Sequence, residues 1–225
     1  MPKLLILALH TEDPGPENTS ATRERLKSHF PPGSVRRMTQ LGLLVGHSLG
    51  KLPEWTGNEA LVYASRFGEG RALEDFLASF PEASPTGFQT SIHPSGAQQA
   101  LIARKRAVTN FFPVAGGPAL AGQALLTALL CPESSVLLCG GEERGTWLTD
   151  VCGASDRSFA FAMTLAHEQA EAPALPVLAT LELTADGNDL APPTLAALFD
   201  ILHARQPYDG PLAPGWHLRL DWTAS

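Results

Sequence analysis

The feature that most constrains this chain is a recurrence of short apolar runs separated by segments of helical period. Residues 3–9, 61–65, 108–114, 136–139, 158–165 and 177–183 have the length and composition of strands. Between them, residues 22–29 read as a polar helical segment, and 39–49, 71–80, 97–105 and 119–130 have helical patterns. Strands alternating with helices predict an α/β fold, and strands with little polar alternation need a sheet covered on both faces. Only a Pro/Ala-rich link separates 158–165 from 177–183, so those two are expected to pair antiparallel. After a turn at Asp186-Gly187-Asn188, Pro192-Pro193 should introduce a helix through residue 203, and 216–222 alternates like a last strand. The expected organisation is one domain over residues 1–185, with a small helix-strand appendage at 186–225 packed on it.

Composition narrows the class further. With 225 residues and 44% hydrophobic content the chain can bury a substantial core, and its 17% charged residues are far from a disordered profile. A formal net charge of -7 argues against a nonspecific nucleic-acid binder, which needs a surplus of Lys and Arg on some face. Cys131, Cys139 and Cys152 show neither paired nor zinc-ligand spacing, which fits a reducing cytoplasm. The apolar run after Met1-Pro2-Lys3 is short, lacks a cleavage site and reads better as a buried strand than as a signal peptide. No stretch approaches the roughly 18 apolar residues that cross a bilayer. No cofactor is implied. His10, Glu12 and Asp13 could ligate a metal only if a fourth group arrived from elsewhere in the chain.

Several short blocks occur in a definite order: Arg36-Arg37-Met38, Tyr63-Ala64-Ser65-Arg66-Phe67-Gly68-Glu69, Ser84-Pro85-Thr86 leading to Ser91-Ile92-His93, Ala115-Gly116-Gly117 at a strand-to-helix turn, and Leu137-Leu138-Cys139-Gly140-Gly141-Glu142-Glu143. Through these blocks, residues 36–183 resemble the β-ketoacyl-synthase-like N-terminal domain of the thiolase superfamily. The resemblance implies a thiolase-like half: a mixed, mostly parallel five-stranded sheet flanked by helices. In that family the nucleophilic Cys occupies a turn between strand and helix, where the helix N-terminus lowers its pKa. The alignment with this pattern puts Gly116 at the nucleophile position, and glycine has no group to acylate. The resemblance places the family's catalytic histidines in a C-terminal half with no counterpart here, and the surroundings of His203 and His217 do not match those motifs.

The implied protein is therefore a non-condensing partner, chain-length-factor-like, in fatty-acid, polyketide or aryl-polyene-type biosynthesis. It would form a homodimer, or a heterodimer with a ketosynthase, through the strand preceding Gly116. A vestigial pocket would comprise His93, Ala115, Gly116 and Gly117, and Arg104, Lys105 and Arg106 could meet an acidic acyl carrier protein or simply close a helix. A structural role, hydrogen-bonded to backbone, is the competing assignment for His93. Gly140-Gly141-Glu142 lacks the residues of a phosphate loop and is expected to be a tight turn after a strand.

Gly46-His47-Ser48-Leu49-Gly50 matches GxSxG, the nucleophile elbow of serine acyltransferases and esterases. That alternative would use Ser48, a strand at 41–45, and Asp156 or Asp200 with His203. Against it, Pro53 and Gly57 interrupt the helix that should follow the Ser.

Overall fold

The structure is a computed structural model and describes residues 3–168, 175–185 and 191–223. In chain order its elements are β1 (Lys3–Glu12), α1 (Thr19–Leu26), α2 (Gln40–Leu49), β2 (Ala60–Ser65), α3 (Gly70–Ala78), α4 (Pro85–Ser91), α5 (Ser95–Arg104), β3 (Asn110–Ala115), α6 (Leu120–Leu130), β4 (Ser135–Glu142), α7 (Trp147–Asp150), β5 (Phe159–His167), β6 (Ala179–Ala185), α8 (Leu195–His203), β7 (Tyr208–Ala213) and β8 (Trp216–Trp222). The α/β class holds. The strands form one sheet in the order β3-β2-β4-β5-β1-β6-β8-β7.

Within β3-β2-β4-β5-β1, four strands share one direction: β2 runs parallel to β3 and β4, and β5 runs against both β4 and β1. Beyond β1 every pairing is antiparallel, which enlarges the expected five-stranded sheet to eight. The expected pairing of 158–165 with 177–183 is corrected, because β1 lies between β5 and β6 and pairs with both. Leu4 and Ile6 are fully buried, and a strand so apolar belongs in the middle of a sheet. β7 escapes sequence recognition because Tyr-Asp-Gly-Pro-Leu-Ala looks like a turn; its proline is tolerated on an edge strand that, among the described residues, pairs only with β8.

Helices cover both faces. Leu120, Leu125, Leu198 and Phe199 of α6 and α8 pack on Val62, Ala64, Leu138, Phe159 and Phe161. Leu41, Leu44 and Val45 of α2, with Ala97 and Ala100 of α5, pack on Leu61, Tyr63, Leu137, Cys139, Ala160 and Ala162. Each fully buried leucine contributes about 1.5–3 kcal/mol relative to exposure. Polar side chains start the helices: Asn18, Thr39, Ser84 and Thr194 each accept a hydrogen bond from the third residue beyond. Thr194 takes the cap of α8, so Pro192-Pro193 sit just ahead of the helix. The expected turn Asp186-Gly187-Asn188 and the start Met1-Pro2 lie outside the described residues. Among the described residues, no helix is long and apolar enough to cross a membrane.

One irregularity in β1 positions several functional candidates. Ile6 opposes Leu165 and Ala8 opposes Thr164, so Leu7 is an extra residue, a β-bulge. Before it, Leu4 and Ile6 face α6 and α8; after it, Leu9 and Thr11 take that face, while Ala8 turns toward α2. His10 and Glu12, at period two from Ala8, therefore face α2 as well.

Candidate functional site

The parallel strands β2, β3 and β4 end side by side, and buried carboxylates occupy this end of the sheet. The expected turn at Gly140-Gly141-Glu142 is corrected: all three residues belong to β4 and pair with Phe161, Ala160 and Phe159. The glycines are needed because a Cβ on Gly140 would stand 2.5 Å from the Ala64 carbonyl oxygen, and one on Gly141 2.2 Å from that of Phe159.

Glu142 accepts hydrogen bonds from Ser65 Oγ (3.1 Å), Arg66 N–H (2.6 Å) and Phe67 N–H (3.3 Å). Glu143 accepts from Leu41 N–H (3.1 Å) at the start of α2 and from Arg71 and Ala72 N–H (3.1 and 3.4 Å) at the start of α3. Burial pushes both carboxyls up to about 7, against the backbone donors that favour their ionised forms. Glu69 accepts from Gly96 N–H (2.6 Å) in the first turn of α5 and from Tyr63 Oη (3.3 Å). Glu74 binds Thr146 and Leu148 N–H at α7, and these donors hold its carboxyl below the usual range despite burial. Sequence reasoning missed these roles, although three of the four glutamates sit in the blocks 63–69 and 137–143.

His93 stacks on Tyr63, with ring centroids 4.9 Å apart, and its Nδ1 stands 3.7 Å from Glu69 Oε2. Both ring nitrogens are buried without a hydrogen-bond partner among the described residues, so the backbone bond of the competing assignment is not made there. Ala115 ends β3 beside Ser65, and the turn Gly116-Gly117-Pro118 leads to α6 through the cap Ala119. Gly116 has φ +113°, and neither Gly116 nor Gly117 has anything within 4 Å of an added Cβ. His93 is therefore not within 4 Å of a side chain placed at Gly116 or Gly117. A cleft of about 340 Å³ opens nearby at Glu142, walled by Arg66, Phe67, Cys152 and Asp156.

The basic triplet divides. Arg104 donates twice to the Gly46 carbonyl (2.9 and 3.2 Å) and lies over Phe30, which ties α5 to α2. Lys105 is the left-handed cap of α5, and Arg106 pairs with Glu54. Lys105 and Arg106 remain exposed. Cys131 caps the far end of α6, where burial pushes its thiol up to about 11, and the fully buried Cys139 is raised further by burial.

Ser48 lies inside α2, fully buried, and residues 41–45 are helix rather than the strand an elbow requires. Its hydroxyl is 3.3 Å from His10 Nδ1. His203 bonds Thr11 Oγ1 (2.9 Å) on the α8 face, so the sheet separates Ser48 from the histidine its sequence order suggested. Asp200 pairs with Arg157. A fluorophosphonate probe is expected to leave the protein unlabelled by intact mass; stoichiometric labelling abolished by Ser48→Ala would restore the serine-enzyme reading.

Around Ser48 the structure gathers other polar groups. His47 Nε2 is 3.7 Å from Glu12 Oε2, and the His47 ring meets those of His10 and His29 with centroids 5.3 and 4.6 Å apart. Burial, with His29, His10, Lys51 and Arg25 nearby, pushes His47 down to about 3. Asp13 is not in this group and pairs with Arg157 at 3.4 Å.

Residues 11–195 match the family described as "Beta-ketoacyl synthase, N-terminal domain". No curated protein sequence matches the chain. Among solved structures, the chain is similar to one in the complex of the ketosynthase ApeO with its chain length factor ApeC from Xenorhabdus doucetiae. The identity is 20%, the TM-score 0.65, and the match covers 97% of this chain and 99% of that one. The ishigamide ketosynthase/chain length factor is similar at 16% identity and TM-score 0.60, covering 83% of this chain and 68% of that one. Likeness at these identities establishes the fold.

Proposed function

The chain belongs to the family of β-ketoacyl synthase N-terminal domains, and from that premise we propose that it is a non-condensing, chain-length-factor-like partner of a ketosynthase in polyketide, fatty-acid or aryl-polyene-type biosynthesis. The observation that carries this reading is the turn at Gly116: a strand, a turn and a helix are present, with no side chain where the family's nucleophile belongs. Its φ of +113° is a backbone region that L side chains rarely adopt, so the turn is shaped for glycine. The similarity in extent and fold to a chain of a ketosynthase–chain length factor complex supports the same reading.

The partner surface is β3. Among the described residues it is an edge strand that pairs only with β2, and Phe111, Phe112 and Val114 are only partly buried. An apolar edge with unpaired backbone groups invites a second chain, and a partner there would also wall in the open turn at Gly116. Lys105 and Arg106 are the exposed cations left to contact an acidic acyl carrier protein, and the cytoplasm is the proposed location.

Light scattering on the eluting protein is expected to show a dimer at tens of micromolar. Pro113→Glu with Ala115→Glu, both at exposed positions of β3, should weaken association at least about 10-fold. A strict monomer that also fails to copurify with any Cys-bearing ketosynthase would overturn the assignment. So would condensation of acyl and malonyl carrier proteins by this chain alone.

A further inference from the structure

We propose that His10, Glu12 and His47 form a zinc(II) site between β1 and α2. Neither the family resemblance nor the proposed partner role requires it. Among the described residues, His10, Glu12 and His47 are the group whose ligand atoms converge, all within 4.8 Å of one another. Two imidazoles and a carboxylate form a known zinc donor set, which leaves a further position for another ligand or water.

The geometry supplies what the sequence alone could not. The bulge at Leu7 turns His10 and Glu12 onto the α2 face. α2 presents His47 there, and the chain after α1 brings His29 against His47 at 4.6 Å between ring centroids. The donors are already oriented by outer contacts. Ser48 Oγ holds His10 Nδ1, which leaves Nε2 for a metal. Arg25 Nη1 holds Glu12 Oε1 at 2.6 Å, which leaves Oε2 directed at His47. Arg25 is itself paired with Glu17 at 3.0 Å, which offsets its charge near a bound cation.

The 3.7 Å between Glu12 Oε2 and His47 Nε2 is too long for a hydrogen bond, so these lone pairs converge without satisfying one another. Tetrahedral zinc with bonds of about 2.0–2.1 Å sets its ligand atoms about 3.4 Å apart, so side-chain shifts of about 1 Å close the site.

The test uses untagged full-length protein stripped with chelator and titrated with zinc(II) by calorimetry, with cobalt(II) absorption as a readout of four-coordinate binding. One zinc per chain is expected. His47→Gln and Glu12→Gln should each weaken binding at least about 10-fold, with circular dichroism showing that they remain folded. If His47→Gln fails to fold, Glu12→Gln and His10→Gln carry the comparison. His203→Gln should leave affinity unchanged, as should Cys152→Ser at the exposed thiol. Absence of zinc binding would overturn the proposal. Binding lost in Cys152→Ser but retained in the His47 and Glu12 variants would overturn it too. The dimer measurement reads a different surface, so the two proposals fail independently.

Discussion

Glu143→Ala is expected to destabilise the fold by about 3 kcal/mol, read as a drop in melting temperature of about 6–12 °C. One carboxylate accepts from the first turns of two helices, α2 through Leu41 and α3 through Arg71 and Ala72. Removing it strands three backbone donors in a site where Glu143 is 2% exposed. An unsatisfied buried donor costs about 1–3 kcal/mol, and the relief of desolvating a carboxylate that burial already pushes up to about 7 offsets part of the sum. Glu143→Gln keeps one acceptor oxygen and should lose roughly half as much. A change below about 1 kcal/mol in the alanine variant would show that the two helix starts are satisfied without this side chain.

Gly141→Ala is expected to be at least as damaging, through sterics rather than lost bonds. The new methyl would stand 2.2 Å from the Phe159 carbonyl oxygen and 2.9 Å from Ala160 Cα. Both obstacles are backbone of β5, a central strand paired on its other side with β1, so no side-chain rotation relieves the clash. Forced overpacking of this kind costs about 1–3 kcal/mol and more where backbone must move. Chemical denaturation should show a loss of about 3 kcal/mol or failure to accumulate as soluble protein. Gly117→Ala, with open space around its Cβ, serves as the control and should change stability by less than about 1 kcal/mol. Equal stability of the two variants would refute the steric account.

Much of the architecture was legible because it follows from side-chain periodicity. The helix over Gln40–Leu49 and the strands over Ala60–Ser65 and Trp216–Trp222 lie where their apolar patterns place them, to within a residue or two. The family blocks were likewise readable in order. What escaped depends on contacts between segments distant in the chain. Nothing local to Glu142 or Glu143 announces that their partners are N–H groups at residues 66–67, 41 and 71–72. Gly140-Gly141 resembled a turn because glycine is ambiguous in sequence, and only the proximity of Ala64 and Phe159 explains it inside a strand. The GxSxG match looked chemical because a five-residue pattern does not say whether its serine sits at a turn or within a helix. Ser48 and His203 proved to lie on opposite faces of the sheet.

The extra residue at Leu7 has a consequence for how this protein can change. Because paired strand residues alternate, which layer His10, Thr11 and Glu12 address is decided by counting from the paired start of β1 with Leu7 left out. Their own chemistry plays no part in that choice. Replacing Leu7 with another apolar residue leaves the count intact. Deleting it also leaves that count intact, because Ala8 then follows Ile6 just as Thr164 already adjoins Leu165, whereas drawing Leu7 into the pairing would direct Thr11 toward α2 and turn His10 and Glu12 against the apolar packing of α8. The histidine corner thus depends on Leu7 staying outside the pairing with β5, and insertion or deletion of a paired residue ahead of His10 would relocate it in a related chain while every polar residue is retained.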